Sequence, residues 1–137
     1  MCGIFGYIGP EDPAVICLKG LEKLEYRGYD SAGLCGVLQG ELQGELKVWK
    51  EVGKIRALEQ AWTDAPLPLS LAIAHTRWAT HGEPSRENAH PHFDQDLKVA
   101  VVHNGIIENH RQLREMLEGR GVKFKSQTDT EVIAQLI

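Results

Sequence analysis

Residues 2–8 read Cys2-Gly3-Ile4-Phe5-Gly6-Tyr7-Ile8, an apolar run punctuated by two glycines and headed by a cysteine directly behind Met1. Ile4, Phe5, Tyr7 and Ile8 predict a buried strand, and the glycines mark places where another backbone can approach closely. Cys2 then sits at the open end of that strand. If its small side chain allows Met1 to be removed, one residue carries both a thiol nucleophile and an α-amine titrating near about 8, suited to general-base work. With Met1 retained, that nitrogen is an amide without a basic lone pair, so activity is expected to depend on processing.

Working outward, Asp12 is placed to cap a helix whose first residue is Pro13, with Ala14, Cys17, Leu18, Leu21 and Leu24 at helical spacing and Gly28 as the stop. Residues 31–38 and 45–50 read as a hairpin around the small duplicated tract Gly40-Glu41-Leu42 and Gly44-Glu45-Leu46. Ile55, Leu58 and Trp62 mark a second helix, Pro66 and Pro68 a connection, and residues 69–75 another strand. Residues 76–96 are polar, rich in His, Gly and Pro, and predict a long functional loop. A strand over 98–103, a helix from near Asn109 carrying Leu113, Met116 and Leu117, a stop at 119–121 and a short strand over 122–125 follow. Thr128 and Glu131 have capping-box spacing for a last helix that reaches Ile137 without a stop signal, which predicts that further chain belongs to the fold.

The 137 residues, 42% hydrophobic and 25% charged, suit one globular domain of mixed α and β structure. A net charge of −4 with both signs scattered gives no footprint for nucleic acid, and no apolar stretch is long enough to span a bilayer, so no membrane partner and a cytoplasmic location are expected. Three cysteines, Cys2, Cys17 and Cys35, without a C-x-x-C pair argue against a disulfide framework and a cysteine zinc site. Cys17 and Cys35 fall in apolar patterns and read as core thiols.

Four polar clusters sit at the edges of predicted elements: 27–31, 75–82, 103–105 and 128–130. Each has a plain reading beside a chemical one. Asn104-Gly105 is a hairpin signal, or an amide and a following N–H able to polarise a carbonyl. Asp129 suits a helix N-terminus, Arg77 a surface ion pair, and Trp78 an aromatic under a loop. His75, His81, His90 and His92 raise a metal reading, which ranks last because no HExxH spacing or cysteine pair completes it.

Together, Cys2-Gly3-Ile4-Phe5-Gly6, the run from Leu24 to Gly33, the block from His75 to Ser85, the run from His103 to Asn109 and Thr128-Asp129-Thr130-Glu131-Val132 resemble the N-terminal-nucleophile glutamine amidotransferases across the whole chain. Tyr29 and Trp78 steer the resemblance to the amino-sugar branch, the glutaminase domains of the glucosamine-6-phosphate synthases, rather than to the amidophosphoribosyltransferases. The implied fold is a four-layer αββα sandwich, α+β in class, with residues 1–137 its N-terminal part and the sugar isomerase domain outside this sequence. The resemblance implies that Cys2 attacks the side-chain amide of L-glutamine, that Asn104 and Gly105 stabilise the oxyanion, and that Arg77, Trp78, Thr80, His81 and Asp129 bind substrate, with Arg27 positional. Through a glutamyl thioester, the released ammonia would feed conversion of fructose 6-phosphate to glucosamine 6-phosphate. No cofactor and no metal are implied, and a homo-oligomer is one of the assemblies left open. The alternatives are the glutaminase domain of a related amidotransferase, such as an amidophosphoribosyltransferase, and a non-catalytic amino-acid-binding fragment.

Overall fold

A computed structural model describes residues 2–27, 29–40 and 44–137, apart from the Arg27 side chain. The expected stop at Gly28, the positional role of Arg27 and the centre of the duplicated tract therefore lie outside the described residues.

The core is an antiparallel sheet of β1 (Gly3–Ile8), β2 (Ser31–Leu38), β3 (Leu46–Val52) and β4 (Leu69–Arg77), in the order β1-β4-β2-β3. Side chains alternate across it, so Phe5, Ala74, Leu34 and Trp49 share one face, while Ile4, His75, Gly33 and Lys50 share the other. Helices α1 (Pro13–Leu24) and α2 (Ile55–Asp64) cover the first face, burying Cys17, Leu18, Leu21, Leu58 and Trp62 against it. Asp12 caps α1 as its sequence implies: Oδ1 accepts from Ala14 N at 2.9 Å and from Val15 N at 3.3 Å, with Pro13 in the first turn. A single 3-10 turn, Glu25–Arg27, follows α1.

On the opposite face lies a small ladder, β5 (His92–Phe93) with β6 (Ala100–Val101), backed by α4 (Glu131–Leu136), against which α3 (His110–Gly119) packs. The layers run α, β, β, α, in line with the sandwich expected. Gly33 is what lets the halves close. A Cβ there would lie 1.8 Å from the His90 carbonyl oxygen, so only glycine admits that backbone. Arg86 ties the same region to β3 by a forked pair with Glu51, at 2.7 Å to Oε1.

The structure corrects several expectations. The opening strand is an edge strand rather than a buried one, with Ile4 42% and Ile8 76% exposed, because helices cover only one of its faces. The hairpin's second strand is shifted to 46–52, and the strand expected over 69–75 extends to Arg77, shortening the loop that follows. The strand expected over 98–103 pairs only at Ala100 and Val101. Residues 122–125 form no strand, since side chains take their N–H groups: Gln95 Oε1 accepts from Lys123 at 2.8 Å and Glu131 Oε1 from Lys125 at 2.8 Å. The capping box is also absent. Glu131 is the first residue of α4 and turns back to accept from Ser126 N at 2.7 Å, while Thr128 Oγ1 pairs with His92 Nε2 at 2.8 Å.

Candidate active site

Pairing of β1 with β4 builds the site. Gly3 opposes Thr76, whose Oγ1 accepts from Gly3 N at 2.9 Å, and this holds the Cys2 end beside the C-terminal end of β4. Just past that end, Trp78 N donates to Cys2 Sγ at 3.1 Å. Asp30 fixes the turn from the other side: its N–H donates to Arg77 O at 2.8 Å and its Oδ2 accepts from Ala79 N at 2.6 Å. The thiol thus rests against a backbone anchored by two neighbouring strands.

Cys2 opens onto a cavity of about 470 Å³ whose wall also includes Arg77, Trp78, Thr80, His81, Asn104, Gly105 and Asp129. That volume is ample for a free amino acid. Of the residues the family resemblance assigns to catalysis or substrate, all line this one space, while the Arg27 side chain is outside the described residues. His75, His90, His103, Ile106, Thr128 and Thr130 line it too.

Asn104 and Gly105 follow β6 and lead toward α3 rather than joining two strands, so the hairpin reading of this pair fails. The Asn104 amide spans the site: Nδ2 donates to Cys2 O at 3.0 Å and Oδ1 faces His75 Nε2 at 2.8 Å. Arg77 is 3% exposed and is no surface ion-pair residue. Its guanidinium donates to the carbonyls of Glu83 at 3.3 Å, Gly82 at 3.0 Å and His81, so it pins the loop while leaving other donors of its planar fork for an anion. Asp129, 5% exposed, precedes α4 instead of standing in its first turn, and its Oδ2 accepts from Ile107 N at 2.8 Å. A cationic and an anionic side chain therefore share the cavity with the thiol. Trp78 is 55% exposed at the rim.

Burial sets the ionisation of His75, His90 and His92. His75 is pushed down to about 4 by desolvation, against the opposing Asn104 hydrogen bond, and His90 and His92 are driven down by the same cause. His75 stacks on His90 at 4.1 Å between ring centroids, and His90 meets His92 edge-on at 4.5 Å. These are ring contacts, and among the described residues no group of three or more His, Cys, Asp or Glu is arranged to hold a metal ion. Burial likewise raises Cys17 to about 11 and Cys35 to about 12, which keeps those thiols protonated and inert.

From the sequence Asp30 and Thr76 have no role and His75 has only the metal reading, although all three lie inside the motifs that carry the family resemblance. Their signal is weak because a polar residue at a strand end looks alike whether it faces water or props up a neighbour.

The chain matches the family described as glutamine amidotransferase domain over residues 57–137. It is 57% identical over 137 residues to a glutamine–fructose-6-phosphate aminotransferase (isomerizing) of Pseudomonas putida, covering 100% of this chain and 22% of that protein. The enzyme of the same description from Escherichia coli is 56% identical over 137 residues, again 100% of this chain and 22% of the relative. The chain thus spans about a fifth of the length of these relatives. Among solved structures, glutamine phosphoribosylpyrophosphate amidotransferase from B. subtilis superposes with a TM-score of 0.77 at 33% identity, over 97% of this chain and 28% of that one. The described residues contain no helix long and apolar enough to cross a membrane.

Proposed function

The chain belongs to the glutamine amidotransferase domain family, and on that premise we propose that it hydrolyses the side-chain amide of L-glutamine with Cys2 as nucleophile. The observation that carries this reading is the cavity shared by the Cys2 thiol, the Asn104 amide, the Gly105 backbone, Arg77 and Asp129. With Met1 removed, the α-amine of Cys2 takes the thiol proton, directly or through water, as sulfur attacks the γ-carbonyl carbon. The oxyanion so formed is held by Asn104 Nδ2 and Gly105 N–H; losing one such donor costs on the order of 3 kcal/mol of barrier. Collapse breaks the carbon–nitrogen bond, the proton passes to the departing nitrogen, and ammonia leaves a glutamyl thioester that water cleaves to glutamate and free thiol.

Arg77 receives the substrate α-carboxylate beside Thr80 and His81, and Asp129 receives the α-ammonium. A cation and an anion at that spacing select a zwitterion over amides lacking either charge. Trp78, at the exposed rim, closes over bound glutamine and excludes water. Arg27 serves a positional role near the nucleophile.

Residues 1–137 act as the N-terminal part of a glutaminase domain, passing ammonia to a sugar isomerase domain that makes glucosamine 6-phosphate from fructose 6-phosphate. The 56–57% identity to the aminotransferases, against 33% for the phosphoribosyl branch, favours this acceptor. We place the protein in the cytoplasm on its unpaired thiols, Cys2, Cys17 and Cys35. The test is Cys2→Ala in the full chain carrying this sequence, with intact mass reporting Met1 removal. Glutamate release from glutamine should vanish while glutamate still binds; turnover that persists in the variant refutes the assignment.

A further inference from the structure

The Asn104 side chain can act on an oxyanion only if its NH2 end, not its carbonyl, faces the thiol. Its contacts fix that choice. Cys2 O is a backbone carbonyl and can only accept, so the Asn104 atom 3.0 Å away is the nitrogen. Asn104 Oδ1 then faces His75 Nε2 at 2.8 Å, and since this oxygen can only accept, the imidazole must donate. A neutral ring has one N–H, which places it on Nε2 and leaves buried Nδ1 with a bare lone pair and no hydrogen-bond partner.

The ring is held by the fold. His75 lies on β4 opposite Ile4 on one side and Gly33 on the other, 1% exposed, with His90 stacked at 4.1 Å and 16° between planes. His90 is itself lodged against Gly33, where no side chain fits. We propose that His75 is the positioning residue of the oxyanion site: by donating Nε2–H to Asn104 Oδ1 it sets the amide so that Nδ2 faces the reacting carbonyl. This rests on the glutaminase reading above. His75 also lines the cavity, but the effect proposed for it passes through its contact with Asn104.

The test uses the full chain, after wild-type glutamate release and its loss in Cys2→Ala have established the reaction. Failure at that first step refutes the glutaminase reading itself. Gln carries its amide nitrogen near the position of Nε2, and Asn near that of Nδ1. His75→Gln should therefore keep kcat within a few-fold, whereas His75→Asn should lower kcat by about 10- to 100-fold with KM for glutamine little changed. In an Asn104→Ala background, His75→Asn should cause no further loss, because its target is gone. A loss that multiplies in the double variant, a main effect on KM, or equal defects in the Gln and Asn variants would overturn the proposal. A folding-independent check is the imidazole 15N spectrum of the histidine-labelled wild-type chain at neutral pH. It should show a neutral His75 protonated on Nε2; an Nδ1–H tautomer or an imidazolium overturns the assignment.

Discussion

Acidification from about pH 7.5 to about pH 5.5 should weaken this fold through His75, His90 and His92, which are 1%, 5% and 2% exposed. Their folded values lie below the ordinary 6.5, so in that window the unfolded chain binds protons that the folded chain refuses. Stability is then fully present above the unfolded value and drains as pH falls through it, until the folded value is reached. For His75, with 6.5 unfolded and about 4 folded, the change across the window is about 1.3 kcal/mol. His90 and His92 shift in the same direction for the same cause, burial, and add to the loss. Hydrogen exchange of the β4 amides in the full chain, corrected for the intrinsic effect of pH, reads this out as an opening free energy. His75→Gln supplies the internal comparison, since removing the imidazole should flatten the dependence by about 1 kcal/mol. An identical slope in wild type and variant, or a flat wild-type profile, would refute the reasoning.

Further expectations follow from the same contacts. Asn104→Ala should lower the rate of glutamate release by about 100-fold or more with apparent affinity preserved, and normal turnover would exclude its oxyanion role. Arg77→Ala should raise KM for glutamine; a fall in kcat alone, with KM intact, would remove the carboxylate role. Gly33→Ala forces a methyl into the His90 carbonyl, so it should destabilise by about 1–3 kcal/mol and reduce glutaminase activity, checked by thermal melting and turnover. Glu131→Ala strips acceptors from Lys125 N and Ser126 N at a residue 2% exposed, and chemical denaturation should report a loss of about 2–4 kcal/mol.

The first half of the fold was legible because its signals are local. Asp12-Pro13 starts α1, hydrophobic spacing marks α1 and α2, and apolar runs mark β2 and β4, each needing only near neighbours in sequence. The second half was less so. Residues 122–125 have strand-like alternation, yet the Lys123 N–H is taken by Gln95, 28 positions away, and the Lys125 N–H by a Glu131 side chain that turns back from α4. Thr128 and Glu131 have capping-box spacing, but each finds a stronger tertiary partner in His92 and Ser126. The site residues were readable as a set through family motifs, whereas the props beneath them, Asp30, Thr76 and His75, depend on strand register that emerges only on folding.

That register has a consequence for biosynthesis. The first strand does not pair with the next one made but with β4, so Gly3 waits for Thr76, 73 residues downstream, and Cys2 O waits for Asn104 at a separation of 102. At ordinary ribosomal speeds the delay to Thr76 alone is roughly 4 to 15 s. Through that interval Cys2 and Gly3 lack the Thr76 and Asn104 contacts that hold them in the folded chain. Late arrival of the distal half thus keeps the start of the chain without its partners until most of the sequence has been made.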